Sequence, residues 1–181
     1  MAAVAGLTIE DFEKLPDALA RNHELVDGEL VDVSGNTLIH NRLRDSLVRL
    51  LGALVKKRKL GEVISEQEFD FNGNAHGPDV SFIGTRKLRL LDVKLRVQHC
   101  VPDLAIEIVS QNDTFVALTK KARRYRKCGT KEVWIFDIEG REAYVLSEQQ
   151  RAILDENQKF QSELIPGFSI RLGDLFDEIS L

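Results

Sequence analysis

The spacing of apolar residues alternates along the chain between the period of a β-strand and that of an α-helix. Near the N-terminus, residues 8–12 predict a short helix that Thr8 caps. Apolar residues alternate on both sides of the Asp27–Gly28 pair, which predicts a β-hairpin over residues 23–33. From residue 37 to residue 59 the leucines fall on one helical face, so we expect a long amphipathic helix there.

The rest of the chain continues mainly with strands. Two strands, at 62–71 and 78–83, precede an ambiguous stretch, 84–98, which we expect to be a loop with one helical turn. The later predicted elements are strands at 101–109, 132–137, 143–146, 152–154 and 169–170, and helices at 113–128 and 173–179. The order ββαββαββ predicts a single domain, residues 1–181, of the α/β or α+β class with a mixed sheet.

The composition is that of an ordinary globular domain. Of the 181 residues, 43% are hydrophobic, and no apolar run is long enough to span a membrane. The N-terminal residues lack the basic start of a secretory signal, and the two cysteines, Cys100 and Cys128, lack metal-ligand spacing. We therefore expect a cytoplasmic protein with reduced thiols that does not bind membranes.

Charge is distributed unevenly along the chain. The formal net charge of −4 argues against a protein that overall charge alone holds on nucleic acid. Residues 56–59 and 120–127 are nevertheless locally basic. The basic face of the second long helix is most simply a solvated surface, although in a nuclease it would also meet a backbone phosphate.

Two acidic residues stand out because they lie in strands that are otherwise apolar. Asp79 opens the strand at 78–83, and Glu107 lies near the middle of the most hydrophobic strand. A carboxylate is seldom buried unless it is paired, protonated or bound to a metal. On adjacent strands, Asp79 and Glu107 would supply the oxygen ligands that Mg²⁺ prefers. Asp103, roughly 13 Å from Glu107 along the strand, is expected to make a strand-end contact instead.

The helix predicted at 113–128 adds a cation to this pair. A helical wheel places Lys121 at the border of the sheet-facing stripe, with Tyr125 one turn further along the same line. A lysine directed at two carboxylates could hold a scissile phosphate or orient an attacking water. The alternative is a structural ion pair in which Lys121 neutralises Glu107. Tyr125 is most simply a core aromatic whose hydroxyl needs a hydrogen bond.

Other reaction classes have little support. The sequence contains no glycine-rich phosphate-binding loop, which argues against nucleotide hydrolysis and dinucleotide redox chemistry. Ser110 lacks the context of a nucleophile elbow, so serine hydrolysis is not expected. His40, at the start of the long helix, is either a capping or packing residue or part of a pocket lining. No role is assigned to His23, His76 or His99.

Several motifs follow one another along nearly the whole chain. They are His23-Glu-Leu-Val-Asp-Gly-Glu-Leu, the helix start around His40, Pro78-Asp-Val-Ser-Phe, Pro102-Asp-Leu-Ala-Ile-Glu-Ile-Val-Ser, Lys121 to Tyr125 with Gly129, Glu132-Val-Trp-Ile-Phe-Asp, Pro166-Gly-Phe, and Leu172 to Phe176. This series resembles the PD-(D/E)xK nuclease superfamily, and more closely the Uma-type family of candidate endonucleases, long catalogued as a domain of unknown function. The ordered set is more specific than any single motif.

The resemblance implies a restriction-endonuclease-like core with an N-terminal β-hairpin and flanking helices, and a metal-dependent phosphodiester hydrolase. Asp79 and Glu107 would bind the metal, Glu24 would be a further acid of the site, and Lys121 would contact the phosphate or the water. The chain departs from the superfamily at Val109, where the superfamily has its lysine, two residues after the glutamate. On this interpretation the cation has moved to Lys121 on the next helix. Apart from the resemblance, Tyr125 and His40 are candidates for the lining of the pocket.

Hypotheses of different classes remain open. The first is a Mg²⁺- or Mn²⁺-dependent endonuclease that acts on DNA; folds of this kind often act as homodimers. The second is an inactive nucleic-acid-binding or scaffold module of the same fold, which Val109 and the negative net charge favour. A third is a hydrolase of another phosphodiester, which would act on a small ester but not on DNA. Metal-dependent strand cleavage separates the first two, whereas cation binding does not.

Overall fold

The computed structural model describes residues 6–33, 36–110 and 113–180, except for the side chain of Phe115. Residues 1–5, which carry part of the argument against a secretory signal, lie outside this description. The helices are α1 (Ile9–Glu13), α2 (Asp17–Ala20), α3 (Leu38–Arg58), α4 (Phe115–Lys127) and α5 (Leu172–Ile179), with a 3-10 turn at Leu88–Leu90. The strands are β1 (His23–Val26), β2 (Glu29–Asp32), β3 (Gly61–Ser65), β4 (Glu68–Asp70), β5 (Ala75–His76), β6 (Val80–Gly84), β7 (Val97–Gln98), β8 (Leu104–Ile108), β9 (Glu132–Asp137), β10 (Glu142–Ser147), β11 (Arg151–Asp155), β12 (Lys159–Gln161) and β13 (Ser169–Arg171).

Local sequence explains how the N-terminal elements begin and turn. The Thr8 hydroxyl accepts the Asp11 N–H, and the Asp11 carboxylate accepts the Thr8 N–H, so a capping box starts α1 as predicted. Between β1 and β2, Asp27 and Gly28 have φ angles of 52° and 85°. A two-residue hairpin turn needs this left-handed backbone, which glycine adopts without strain and aspartate tolerates. The predicted N-terminal hairpin is confirmed.

The described strands form three sheets. The hairpin belongs to a five-stranded sheet of order β2-β1-β5-β4-β7, and the central six-stranded sheet has the order β11-β10-β9-β8-β6-β3. In the central sheet β8 and β9 run parallel, whereas the other neighbours pair antiparallel. Strands β12 and β13 form a separate antiparallel pair. The predicted mixed sheet is therefore confirmed, but its division from the hairpin sheet is not visible in the sequence.

Apolar cores cover both faces of the central sheet. On one face, α3 and α5 pack over alternate residues of β8, namely Leu104, Ile106 and Ile108. On the other face, α4 packs over Ala105 through Leu118 and Ala122. Side chains alternate along a strand, so Glu107 projects to the same face as Ala105, beneath α4. The alternation predicted for this strand is confirmed, and it directs Glu107 towards the helix that carries Lys121.

Several predicted boundaries are wrong; the strand predicted at 101–109, for example, is β8 over Leu104–Ile108. The strand predicted at 62–71 is divided into β3 and β4, because Glu66 has a φ angle of 53°, which interrupts extended backbone. The helix predicted at 113–128 begins at Phe115, because Thr114 is its N-cap and accepts the Ala117 N–H. The helical turn expected within 84–98 is the 3-10 turn. Among the described helices, none combines the length and apolar character needed to cross a membrane.

Candidate active site

Asp79 and Glu107 come from neighbouring antiparallel strands. Glu107 lies in β8 and is 5% exposed, whereas Asp79 lies directly before β6 rather than at its first position. The register that pairs Val80 with Ile106 places Asp79 opposite Glu107 when it is continued by one residue. Asp79 Oδ2 accepts the Ile108 N–H at 2.7 Å, which fixes that carboxylate at the strand end. The structure therefore brings together the two acids that the sequence singles out.

Helix α4 places a lysine and a tyrosine against Glu107. The Lys121 ammonium lies 3.0 Å from Glu107 Oε2, and the Tyr125 hydroxyl donates to Oε1 at 2.7 Å. Lys121 and Tyr125 are one helical turn apart, so both reach the same carboxylate. The Tyr125 ring is fully buried and stacks on Phe71, with ring centroids 4.1 Å apart. The predicted orientation of these two residues towards the sheet is confirmed.

Glu24 enters the same cluster from the N-terminal hairpin, because β1 pairs with β5 and thereby approaches His76. Glu24 Oε2 accepts from His76 Nδ1 at 2.8 Å, and Oε1 accepts the Gly77 N–H at 3.0 Å. The Lys121 ammonium lies 2.9 Å from Glu24 Oε1. At 7% exposure Glu24 is buried, unlike most acids of a surface hairpin. One ammonium thus joins Glu24 to Glu107.

His40 reaches the cluster from the first turn of α3. Its Nε2 lies 3.3 Å from Asp79 Oδ1, and the residue is buried. Its Nδ1 is buried and has no hydrogen-bond partner among the described residues. The side chain of Thr37, not that of His40, caps the helix. Of the interpretations left open for His40, the structure supports a residue that lines the cleft and contacts Asp79.

The two glutamates that share Lys121 differ in their affinity for protons. Burial raises the pKa of Glu107 to about 8, although the Lys121 charge opposes this rise. Burial also acts to raise the pKa of Glu24, but the Lys121 charge and the hydrogen bond from His76 outweigh it and lower that pKa to about 2. Glu24 is therefore the ionised partner of Lys121, whereas Glu107 takes up a proton at a higher pH than an ordinary glutamate.

The same contacts set the protonation of Lys121 and His76. Burial acts to lower the pKa of Lys121, but the carboxylates of Glu107 and Glu24 raise it above its ordinary value. Burial lowers the pKa of His76 in spite of the Glu24 carboxylate. Because Nδ1 of His76 donates to Glu24, its Nε2 faces Arg124 Nη1, 3.3 Å away, as an acceptor. Lys121 thus stays positively charged and does not act as a base.

The cluster lies in an open cleft of about 1010 Å³. Its lining includes Glu24, His40, Asp79, Glu107 and Lys121 among residues of the hairpin, α3, β8 and α4. Tyr125 is not among the residues that line this cleft, and the structure supports its interpretation as a core aromatic. Its ring is packed beneath the cluster in the α4-side core, so it supports Glu107 from behind.

Sequence reasoning does not identify two residues of the cluster, His76 and Arg124. His76 is 52 positions from Glu24, and only the pairing of two short strands joins them. The helical wheel places Arg124 with the solvated basic residues, but its side chain is 17% exposed and contacts Asp27 at 2.7 Å. The one sequence signal for His76 is its position three residues before Asp79.

The available donor atoms suit a hard divalent cation that keeps much of its water. Mg²⁺ is commonly bound through one or two carboxylates and several waters. Each oxygen of Asp79 and Glu107 already has one polar contact and retains a second lone pair. Among the described residues, no group of three His, Cys, Asp or Glu side chains is placed to hold one metal ion. The residues therefore fit an ion with two protein side-chain ligands, not one that side chains enclose.

A family model described as "Uma2: Putative restriction endonuclease" matches residues 9–173. The chain belongs to the Uma2 family. A solved structure, described as "a putative nuclease belonging to DUF820 from Anabaena variabilis ATCC 29413", is similar with a TM-score of 0.85. It is 20% identical, and the match covers 96% of this chain and 99% of that chain, so it shows the fold alone. No curated protein matches the chain.

Membership of the Uma2 family confirms the resemblance inferred from the ordered motifs. The region that the family model matches contains Glu24, His40, Asp79, Glu107 and Lys121. The structural similarity confirms the predicted restriction-endonuclease-like fold.

Proposed function

We propose that the protein is a Mg²⁺- or Mn²⁺-dependent endonuclease that hydrolyses phosphodiester bonds of DNA. The observation that carries this proposal is the convergence of Asp79, Glu107 and Lys121 on one open cleft. Two carboxylates that can bind a metal ion and a fixed ammonium that can stabilise a phosphoryl group suit metal-assisted phosphodiester hydrolysis. Membership of the Uma2 family supports the same reaction class.

In this proposal Asp79 and Glu107 hold the metal ion. When bound, a divalent cation stabilises charge on the phosphoryl oxygens and makes water a better nucleophile at neutral pH. The raised pKa of Glu107, about 8, agrees with this role. Burial destabilises the negative charge of this carboxylate, so a bound cation would stabilise it as a proton does. His40 and Tyr125 each contact one oxygen of this acid pair and so limit its rotation.

Lys121 is proposed to contact the scissile phosphate. It remains protonated because two carboxylates surround it, so it stabilises negative charge and does not abstract a proton. Its bond to Glu24 keeps the ammonium in the cleft when Glu107 engages a cation. Glu24 is therefore proposed as a positioning residue, and His76 and the Gly77 N–H hold its carboxylate in turn.

A second candidate, a nucleic-acid-binding module without turnover, has one observation in its favour. Val109, two residues after Glu107, brings no cation and packs against the α4-side core. Without a lysine at position 109, activity would depend on Lys121 as the cation that contacts the scissile phosphate. Lys121 does reach Glu107 from α4, which favours the active enzyme over the inactive module.

The test is cleavage of supercoiled plasmid and of single-stranded DNA with Mg²⁺, with Mn²⁺ or with a chelator. We expect the wild type to nick DNA only with metal, and Glu107→Ala to be inactive while it remains folded, because Lys121 keeps its bond to Glu24. The absence of cleavage in either metal, from folded protein that still binds DNA, would favour the inactive module.

A further inference from the structure

A second groove, of about 790 Å³, runs along the outer side of α4. It shares Lys120 and Arg124 with the lining of the candidate active-site cleft, so the two concave surfaces adjoin at these two side chains. Lys120, which lines the groove, directly precedes Lys121, the residue proposed to contact the scissile phosphate. The proposed hydrolysis does not use the remaining residues of this groove.

The groove is basic although the protein is acidic overall. The charged residues described in its lining are Lys120, Arg123, Arg124, Lys127 and Asp27. Asp27 is engaged by Arg124 at 2.7 Å and by Lys120 at 3.6 Å. In the part of the chain that the structure describes, Arg123 and Lys127 form no ion pair, and both are exposed. Four cations against one anion leave a strong positive excess in a chain whose net charge is −4.

Helix geometry arranges these cations as a line. Lys120, Arg123 and Lys127 follow the spacing i, i+3 and i+7, so they lie along one face of α4. With a rise of 1.5 Å per residue, the line is about 10 Å long. One strand of duplex DNA advances about 3.4 Å per nucleotide, so this length corresponds to about three nucleotides of backbone. Asn72, which is exposed, also lines the groove and offers an amide group that can donate to a phosphate.

We propose that this groove, formed by Lys120, Arg123, Lys127 and their neighbours, binds the phosphodiester backbone of duplex DNA next to the scissile bond. The inference rests on the proposed nuclease function and adds a contact surface to it. Such contacts position the substrate and do not read its sequence. The position of the groove beside the candidate active-site cleft, at Lys120 and Arg124, distinguishes it from a basic surface far from the proposed site.

The test compares two variants that remove the same number of charges. The groove variant carries Lys120→Gln, Arg123→Gln and Lys127→Gln, and the control carries Lys56→Gln, Lys57→Gln and Lys59→Gln. The control residues are exposed and lie around the C-terminal end of α3, about 24 to 28 Å along the helix from His40. Both variants lower the net charge by three, so a general charge effect is matched. Thermal melting checks that both are folded.

Binding of a fluorescent DNA duplex is measured by anisotropy over a range of salt concentrations, with chelator present to prevent cleavage. Removing one phosphate-binding cation lowers the magnitude of the slope of log K against log salt by about 1. We expect the slope of the groove variant to be smaller than that of the wild type by about 3, equally for unrelated sequences. The control should keep the wild-type slope.

The outcomes separate the groove from the proposed activity. Equal slopes for the groove variant and the wild type overturn the groove, even if the wild type cleaves DNA. Equal reductions in both variants, or no DNA binding by the wild type, also overturn it. A selective reduction of the slope in the groove variant supports the groove, and it does so even if metal-dependent cleavage is absent and the proposed activity fails.

Discussion

Three buried carboxylates on or beside β8 and β9 have similar burial and very different surroundings. Glu132 accepts hydrogen bonds from Trp134 Nε1, the Ser162 hydroxyl and the Leu164 N–H. Asp103, directly before β8, accepts the Gly84 N–H and lies 3.2 Å and 3.0 Å from the ammonium groups of two lysines, Lys87 and Lys131. Glu107 faces the open cleft.

These differences show that burial of an acid does not by itself indicate a site. Glu132 has neutral donors on both oxygens and does not line the cleft, so its role is to join β9 to the segment before β13. Asp103 makes the strand-end contact expected of it. Glu107 differs because its cation, Lys121, is shared with a second acid, and because space for a ligand lies in front of it.

The largest expected effect distinguishes Lys121, which contacts Glu107 in the cleft, from Lys131, which contacts Asp103. Lys121→Met should lower the rate constant of metal-dependent DNA cleavage by roughly 100- to 1,000-fold, because a positioned charge stabiliser of the transition state is removed. Lys131→Met, which removes a lysine from Asp103, should leave the rate unchanged. Single-turnover cleavage at saturating DNA gives both values. A reduction below threefold for Lys121→Met would remove this residue from the mechanism.

The opposite behaviour is expected of Glu132. Glu132→Ala leaves the donors on Trp134, Ser162 and Leu164 without their acceptor, at a cost of about 3 kcal/mol in the free energy of unfolding. Cleavage per folded molecule should not change. Urea unfolding measures the cost, with Glu148→Ala, an exposed site, as a control that should stay within about 0.5 kcal/mol. A cost below about 1 kcal/mol would show that these bonds do not stabilise the fold as described.

The pH dependence of stability should sharpen the contrast at Glu107. Its pKa is about 8 in the folded protein, against 4.5 for an ordinary glutamate. Between pH 4.5 and 8 the folded state binds this proton and the unfolded state does not. Protonation of Glu107 therefore stabilises the fold fully below pH 4.5, and this stabilisation is lost as the pH rises through 8. Glu107→Gln should lack this decline. Melting curves recorded with chelator across this range test it, and parallel curves for both proteins would contradict the assigned pKa.

The smallest effect concerns the support beneath Glu107. Tyr125→Phe removes the hydroxyl that donates to Glu107 but keeps the ring stacked on Phe71. We expect the free energy of unfolding to fall by about 1 kcal/mol, since one buried hydrogen bond is removed. Urea unfolding measures this difference. A variant as stable as the wild type would mean that the bond contributes nothing.

Much of the fold is predictable because local patterns determine it. The Asp27–Gly28 turn, the amphipathic α3 and the alternation along β8 each follow from a few neighbouring residues. The break at Glu66 is not predictable in this way, because nothing in its neighbourhood shows that a glutamate will adopt left-handed backbone. The division into two sheets follows from that break.

A residue of the candidate site is predictable where its type is unusual for its position in the sequence pattern. Glu107 is an acid in an apolar strand, and Lys121 is a cation at the border of an apolar stripe. His76 is not unusual for its position in the sequence. It belongs to the site because it donates a hydrogen bond to Glu24, and the pairing of β1 with β5 brings these two residues together. The burial of the Tyr125 ring agrees with its prediction as a core aromatic, whereas the partner of its hydroxyl, Glu107, follows only from the packing of α4 on the sheet.

The most direct test of the proposed site compares two buried glutamates in one assay. Mg²⁺-dependent cleavage of plasmid DNA is measured for the wild type, Glu107→Gln and Glu132→Gln, and each rate is corrected for the folded fraction. We expect cleavage by the wild type, an undetectable rate for Glu107→Gln and a rate close to wild type for Glu132→Gln. Wild-type cleavage that persists in Glu107→Gln would contradict the assignment of the active site to the cleft beneath α4.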